Sequence, residues 1–119
     1  MDGIEPASMN NGRLLLIAVI TVARDAVAAF RSYEEGAARI MARYGGAIER
    51  TVALDDDPSA DGMRELHLVA FPDRPAFDAY RADPELNALA ELRASSIIHT
   101  EILAGTDGPT YGAGGAHSL

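Results

Sequence analysis

The segment Arg13 to Val22, RLLLIAVITV, constrains this chain more than any other stretch. It is short, rich in Leu, Ile and Val, and bounded by Asn-Gly before and Arg-Asp after, which is the signature of a strand. Both of its alternating sets are apolar. Leu14, Leu16, Ala18, Ile20 and Val22 point one way, and Leu15, Ile17 and Val19 point the other. Successive side chains in a strand face opposite sides, so a segment apolar on both sides has to be buried on both.

The rest of the chain supplies the elements around that strand. Asp25 reads as the N-cap of a helix. Val27, Phe30, Tyr33, Ala37, Ile40, Met41 and Tyr44 recur at helical spacing as one apolar stripe. Gly45-Gly46 ends the helix, because glycine takes the left-handed cap at little cost. Ala47 to Leu54 is a second strand, with Ile48, Val52 and Leu54 on one side and Glu49 and Thr51 on the other. Asp55 to Gly62 is a turn by composition, and Glu65 to Phe71 is a third strand. Asp73 caps a helix carrying Ala76, Phe77 and Tyr80. Asp83-Pro84 then restarts a helical segment with Leu86, Leu89 and Ala90 inward. Ile97 to Leu103 is the fourth strand.

The order is β-α-β-β-α-β, an α+β arrangement of ferredoxin-like topology. Right-handed crossovers place both helical regions on one face of a four-stranded antiparallel sheet of order 4-1-3-2. The other face is left without a helix. Leaving about four Leu, Ile or Val side chains in water there forfeits roughly 1.5–3 kcal/mol each. That total is comparable to a domain's whole net stability of about 5–15 kcal/mol. A second copy packed sheet to sheet is the economical cover, with the C-terminal tail as the alternative, so the sequence predicts a homodimer through the open sheet face. Residues 13–104 form the predicted domain. Residues 1–12 read as a flexible lead, and residues 105–119 as a glycine-rich tail, mobile or wrapped on a partner.

Composition narrows the partners. The formal net charge is -8, from 18 acidic and 10 basic residues. Nucleic-acid binding rests on neutralising phosphates with Lys and Arg, so this balance argues against it and against anionic membranes. With no cysteine there is no disulfide and no thiolate chemistry. Asp2 and Glu5 stand where a secretory signal carries positive charge, and Leu14 to Val22 is too short to span a bilayer. A cytoplasmic location is the resulting expectation.

The helical stretch FRSYEEGAARIMARYGGAIER (Phe30 to Arg50) and FPDRPAFDAYRADPE (Phe71 to Glu85) carry a family resemblance. With ELHLVAF before the second and TEILAGTDGPTYG after it, they resemble the family called domain of unknown function 1330. That family lies within the dimeric α/β-barrel superfamily. The most specific pieces are Tyr33-Glu34, Tyr44-Gly45-Gly46, Phe71-Pro72 with Phe77 and Tyr80, and Asp83-Pro84-Glu85. The resemblance implies ferredoxin-like protomers whose sheets pair into a barrel, and it brings no catalytic residues to transfer.

Candidate site residues come from the sequence itself. His67 alternates with Leu66 and Leu68, sharing a face with Val69 and Phe71. A histidine there can serve as acid or base near neutral pH, or be a core histidine held by an acceptor such as Glu65 of a partner. If Leu66, Leu68 and Ala70 pack under the helices, His67 points at the partner sheet. On that parity His99 can share its face, although no ligand spacing supports a metal site with Glu101. Tyr33, Glu34 and Tyr44 can rim a pocket between helix and sheet, or simply pack the helix. Arg50 can take a carboxylate in a bidentate pair or extend to water.

Other motifs fail. Counted from Asp57, a calcium loop needs its glutamate at Leu68, which lies in a strand. Ser95 and Ser96 lack a nucleophile elbow, and the tail glycines have no strand before them. The sequence therefore predicts no metal and no cofactor. It leaves two function classes: a small-molecule-binding dimer, with cofactor-free catalysis on a small metabolite as its enzymatic form, or a non-catalytic interaction module.

Overall fold

A computed structural model describes residues 13–112. The two-sided strand β1 (Leu14–Val22) lies inside a four-stranded sheet of order β2-β3-β1-β4. Having no polar side, it belongs between neighbours. Antiparallel partners flank it: β3 (Met63–Phe71), from Leu14 opposite Phe71 to Val22 opposite Met63, and β4 (Ile97–Gly105). Strand β2 (Ala47–Ala53) completes the far edge.

Helix α1 (Val27–Ala42) follows β1. Asp25 does not cap it. Ala26 is the N-cap residue and makes no side-chain cap bond, because a turn from the Ala23 carbonyl to the Ala26 amide (3.0 Å) leaves Asp25 outside the helix. The helix ends as the glycine pair predicts, with Gly45 at φ 77°. The second crossover holds three short helices, α2 (Arg74–Arg81), α3 (Pro84–Asn87) and α4 (Ala90–Ser96). Asp73 caps α2 by accepting from the Ala76 amide at 2.9 Å. Asp83 caps α3 through the Glu85 amide at 2.8 Å. Helix α4 runs straight into β4, with no loop between.

Register decides which residues meet the helices. Leu16, Ala18, Ile20 and Val22 face them and are buried, as are Val69 and Phe71 beside them on β3. Phe71 sits at the centre of the larger core cluster, its ring 5.3 Å from Phe77 and 5.4 Å from Tyr80. The opposite parity, Leu15, Ile17 and Val19 with Leu66 and Leu68, forms the open face. Ile17 there is 38% exposed. So His67 lies under the helices, and Leu66 and Leu68 do not.

Strand β2 departs from simple alternation. Ile48 pairs with Val69 and Arg50 with Leu68, so Glu49 is an extra residue in the register. Such a bulge turns the following residues to the other face. Ile48 therefore looks to the helices, while Arg50 and Val52 lie on the open face. Glu49 and Asp107 both bind Arg13, the latter through Nε and Nη2 at 2.9 and 2.8 Å. This contact ties the start of β1 to the segment after β4. Of the predicted tail, residues 113–119 lie outside the described residues, as do 1–12 of the lead. No helix among the described residues is long and apolar enough to cross a membrane.

Gly62, just before β3, tests this packing. A Cβ there would fall on the Val22 carbonyl oxygen, a backbone atom that cannot rotate away. Gly62→Ala is expected to destabilise the fold by about 1–3 kcal/mol, read from urea denaturation midpoints, by forcing the strand ends apart. A midpoint equal to wild type would mean that this approach is looser than described.

Candidate active site

His67 is positioned by the sheet. On β3 it stands opposite Ala18 of β1 and Thr51 of β2. The small alanine leaves room above β1, and the imidazole fills part of it at 3% exposure. Two carboxylates reach the ring from different elements. Glu65, two residues earlier on the same strand face, places Oε1 2.8 Å from Nε2. Glu34, from the buried side of α1, places Oε1 3.7 Å from Nδ1. Phe30, one turn before Glu34, packs its ring 6.2 Å from the imidazole.

Beside this cluster the sheet and helices line a cavity of about 120 Å³ that is open to solvent on one side. Its lining is mostly apolar, with Leu16 and Val69 from the sheet and Ala37 and Met41 from α1. Six polar side chains converge on it: Tyr33, Glu34, His67, Tyr80, Arg93 and Thr100. Arg93 and Thr100 sit on α4 and β4, and Nη2 approaches Oγ1 at 3.5 Å, the outer limit of a hydrogen bond.

Burial dominates the electrostatics. It raises the Glu34 pKa, with the attraction of His67 pulling back, Glu65 pushing further up and Arg93 opposing. Burial likewise raises the Tyr33 and Tyr80 hydroxyls, with the charge of Arg93 opposing in both. Both phenols therefore stay protonated at neutral pH and can donate hydrogen bonds to a ligand. The arrangement can orient a small ring and exchange a proton with it through the imidazole, whose two nitrogens are each faced by a carboxylate.

Of the residues singled out from sequence, the structure brings Tyr33, Glu34 and His67 together. Tyr44, Arg50 and His99 lie elsewhere. The Tyr44 hydroxyl donates to Asp83 at 2.7 Å, and Arg43 reaches the same carboxylate at 3.4 Å. That ties the end of α1 to the start of α3, and the Tyr44 bond is the main reason the Asp83 pKa is lowered. Arg50 is exposed on the open face. His99 is exposed too, opposite Thr21 on that same open face, so the two histidines do not share a side. The acceptor for His67 comes from Glu65 of its own chain.

Tyr80, Arg93 and Thr100 complete the cluster beyond the sequence candidates, and Glu65, expected as a partner's acceptor, joins it from the same chain. Only Glu65 had a readable signal, its two-residue spacing from His67. No group of three or more His, Cys, Asp or Glu among the described residues is placed to hold a metal ion.

The fold belongs to the ferredoxin-like class of α+β proteins, and solved structures share it. A Rhodopseudomonas palustris protein of unknown function superposes with a TM-score of 0.71 at 13% identity, over 87% of this chain and 88% of that one. SnoaB from Streptomyces nogalater, a cofactor-independent oxygenase, superposes with a TM-score of 0.61 at 21% identity, over 84% and 97%. A dimeric ferredoxin-like protein of unknown function from Bacteroides fragilis superposes with a TM-score of 0.57 at 16% identity, over 81% and 97%. No family model matches the chain, and no curated protein matches it.

Glu34 offers a check on the site's electrostatics. Its folded pKa lies above the ordinary value of 4.5. Between those two values the folded state holds the extra proton, so stability falls as pH rises through that window. Glu34→Gln is therefore expected to raise the urea midpoint near neutral pH. The gain should shrink as pH drops to the ordinary carboxylate range. A variant less stable than wild type at neutral pH would show that the His67 attraction outweighs burial.

Proposed function

We propose that this chain binds a small, single-ring metabolite in the helix–sheet cavity and transfers a proton with it through His67. The observation that carries this reading is the buried imidazole between Glu34 and Glu65, at the edge of an apolar cavity with Tyr33, Tyr80 and Arg93 around it. A cavity of about 120 Å³ is close to the roughly 150 Å³ that takes a benzene ring, so a single ring fits its inner part. A phenol or an enolisable ring fits both the apolar wall and the acid–base group. The chemistry needs no resident cofactor, and the description of SnoaB as a cofactor-independent oxygenase lends support by analogy of fold.

The working form is a homodimer paired through the open sheet face. Support comes from Leu15, Ile17, Val19, Leu66 and Leu68 on that face and from the fold neighbour described as dimeric. The motif pieces around Tyr33-Glu34 and Asp83-Pro84-Glu85 favour a place beside domain of unknown function 1330.

Thermal shift against a panel of single-ring phenols and cyclic 1,3-dicarbonyls tests the site. At least one compound should stabilise wild type. His67→Gln, which keeps the size of the side chain, should lose that response while Arg50→Gln keeps it. A panel without effect, or one equally effective on His67→Gln, would overturn the reading. The dimer has its own check in sedimentation velocity. Leu68→Asp, in the open face, should weaken self-association at least about tenfold, since burying a lone carboxylate there costs well over the 1.4 kcal/mol that a factor of ten represents. Wild type sedimenting as a monomer at micromolar concentration would remove the dimer.

A further inference from the structure

The cavity beside His67 is polar at two ends that differ in chemistry. At the buried end stand the imidazole and the Glu34 carboxylate, 3.7 Å apart. At the solvent end stands Arg93, an exposed residue that reaches the cavity from α4. Much of the remaining wall is apolar.

Three elements bring hydrogen-bond donors to the solvent end. Arg93 Nη2 lies 3.5 Å from Thr100 Oγ1. Thr100 stands opposite Ile20, which faces the helices, so the threonine hydroxyl is on the cavity side of β4. Tyr33 comes from α1, and its hydroxyl feels Arg93 both as a charge and as a hydrogen-bond partner. The guanidinium, the phenol and the threonine hydroxyl therefore converge. A guanidinium has five N–H donors and no acceptor, so this end is rich in donors.

Charge balance at the cavity favours an anion at that end. Glu34 is the one carboxylate among the described lining residues, and it is drawn to His67. Glu65 accepts from His67 at the ring's other nitrogen and does not line the cavity. Arg93 forms no ion pair among the described residues. A carboxylate matches a guanidinium in a bidentate pair. Because the cavity opens to solvent on this side, the carboxylate keeps part of its hydration and avoids the cost of full burial. Ile102, 53% exposed, offers an apolar contact for the edge of a ring seated there.

We propose that the ligand is a single-ring hydroxy-carboxylate, its carboxylate bound by Arg93 with Tyr33 and Thr100 and its ring hydroxyl turned to His67. This assignment rests on the reading of the cavity as the ligand site and adds the charge that selects among single rings. Arg93 is then the residue that sets specificity, because a neutral ring of the same shape leaves its charge without a partner.

The probes are ortho-, meta- and para-hydroxybenzoate, each compared with its neutral isostere, the matching hydroxybenzamide. They are titrated into the isotope-labelled full-length protein and read by amide shifts at Ala37, Val69 and Thr100. At least one acid should bind about tenfold more tightly than its amide, the scale of one charge-assisted hydrogen bond. Arg93→Gln should remove that advantage, weakening the acid about tenfold and leaving the amide unchanged. Arg50→Gln, on the open face, should keep the preference. Acids and amides that bind wild type equally, or a preference that survives Arg93→Gln, would overturn the assignment and leave the acid–base reading of the cavity standing. A preference lost equally in Arg50→Gln would overturn it too, as an effect of net charge. No saturable shift from any probe at millimolar concentration would overturn both. Arg93 is exposed, and amide spectra that otherwise overlay wild type confirm that the variants are folded.

Discussion

Burial of β1 on both faces is the constraint from which the rest of the molecule follows. A strand carrying Leu, Ile and Val at both parities cannot stand at a sheet edge without exposing backbone and side chains together. Placed between β3 and β4, it satisfies its amides on both sides. It then divides its neighbours into a helix-facing layer and an open layer. Every candidate site residue inherits its side from that division. Ala18 faces the helices, so His67 opposite it does too, and the parity of β1 puts the imidazole under α1.

Small size at Ala18 matters as much as direction. A larger residue there would fill the space that His67 and the adjoining cavity occupy. Once the imidazole is under α1, the helical stripe determines what reaches it. Phe30 packs at one edge and Glu34, one turn on, brings a carboxylate into a place where burial resists its charge. Glu65 reaches the other nitrogen because side chains two apart on a strand share a face. The cluster is thus the meeting of two periodicities, the helical and the strand repeat, above one small residue.

The architecture was legible because it rests on long apolar patterns and strong punctuation. The strand order, Gly45 at the end of α1, and Asp73 and Asp83 as caps all follow from local chemistry. Parity was not legible. Leu66-x-Leu68 and His67-x-Val69-x-Phe71 are both apolar enough to face a core, and only pairing with β1 decides between them. His99 does not share the side of His67, because it has the open-face parity set by Thr21, and the bulge at Glu49 puts Arg50 on that open face as well, where it extends to water. Tyr44 looked like a pocket tyrosine, but its bond to Asp83 gives it a structural partner. Arg93 and Thr100 join the cavity through a helix that passes into a strand without a loop, a junction with no turn residue to announce it.

Strand β4 shows why cover and cavity are physically linked. Ile102 faces the helix side and lines the cavity, yet it is 53% exposed, while Leu103 on the other side is 57% exposed. The helical layer stops at α4, so the outer half of this edge strand is bare on both faces. Pairing of sheets can cover Leu103 from the open side, since it lies opposite Ile17. It cannot by itself cover Ile102, whose side chain points the other way. Closing the cavity mouth therefore needs something beyond the sheet contact, and a ligand with an apolar edge against Ile102 would supply it. The open face and the cavity each leave one apolar residue of the same dipeptide exposed, so the proposed association and the proposed ligand would draw on adjacent residues without competing for the same surface.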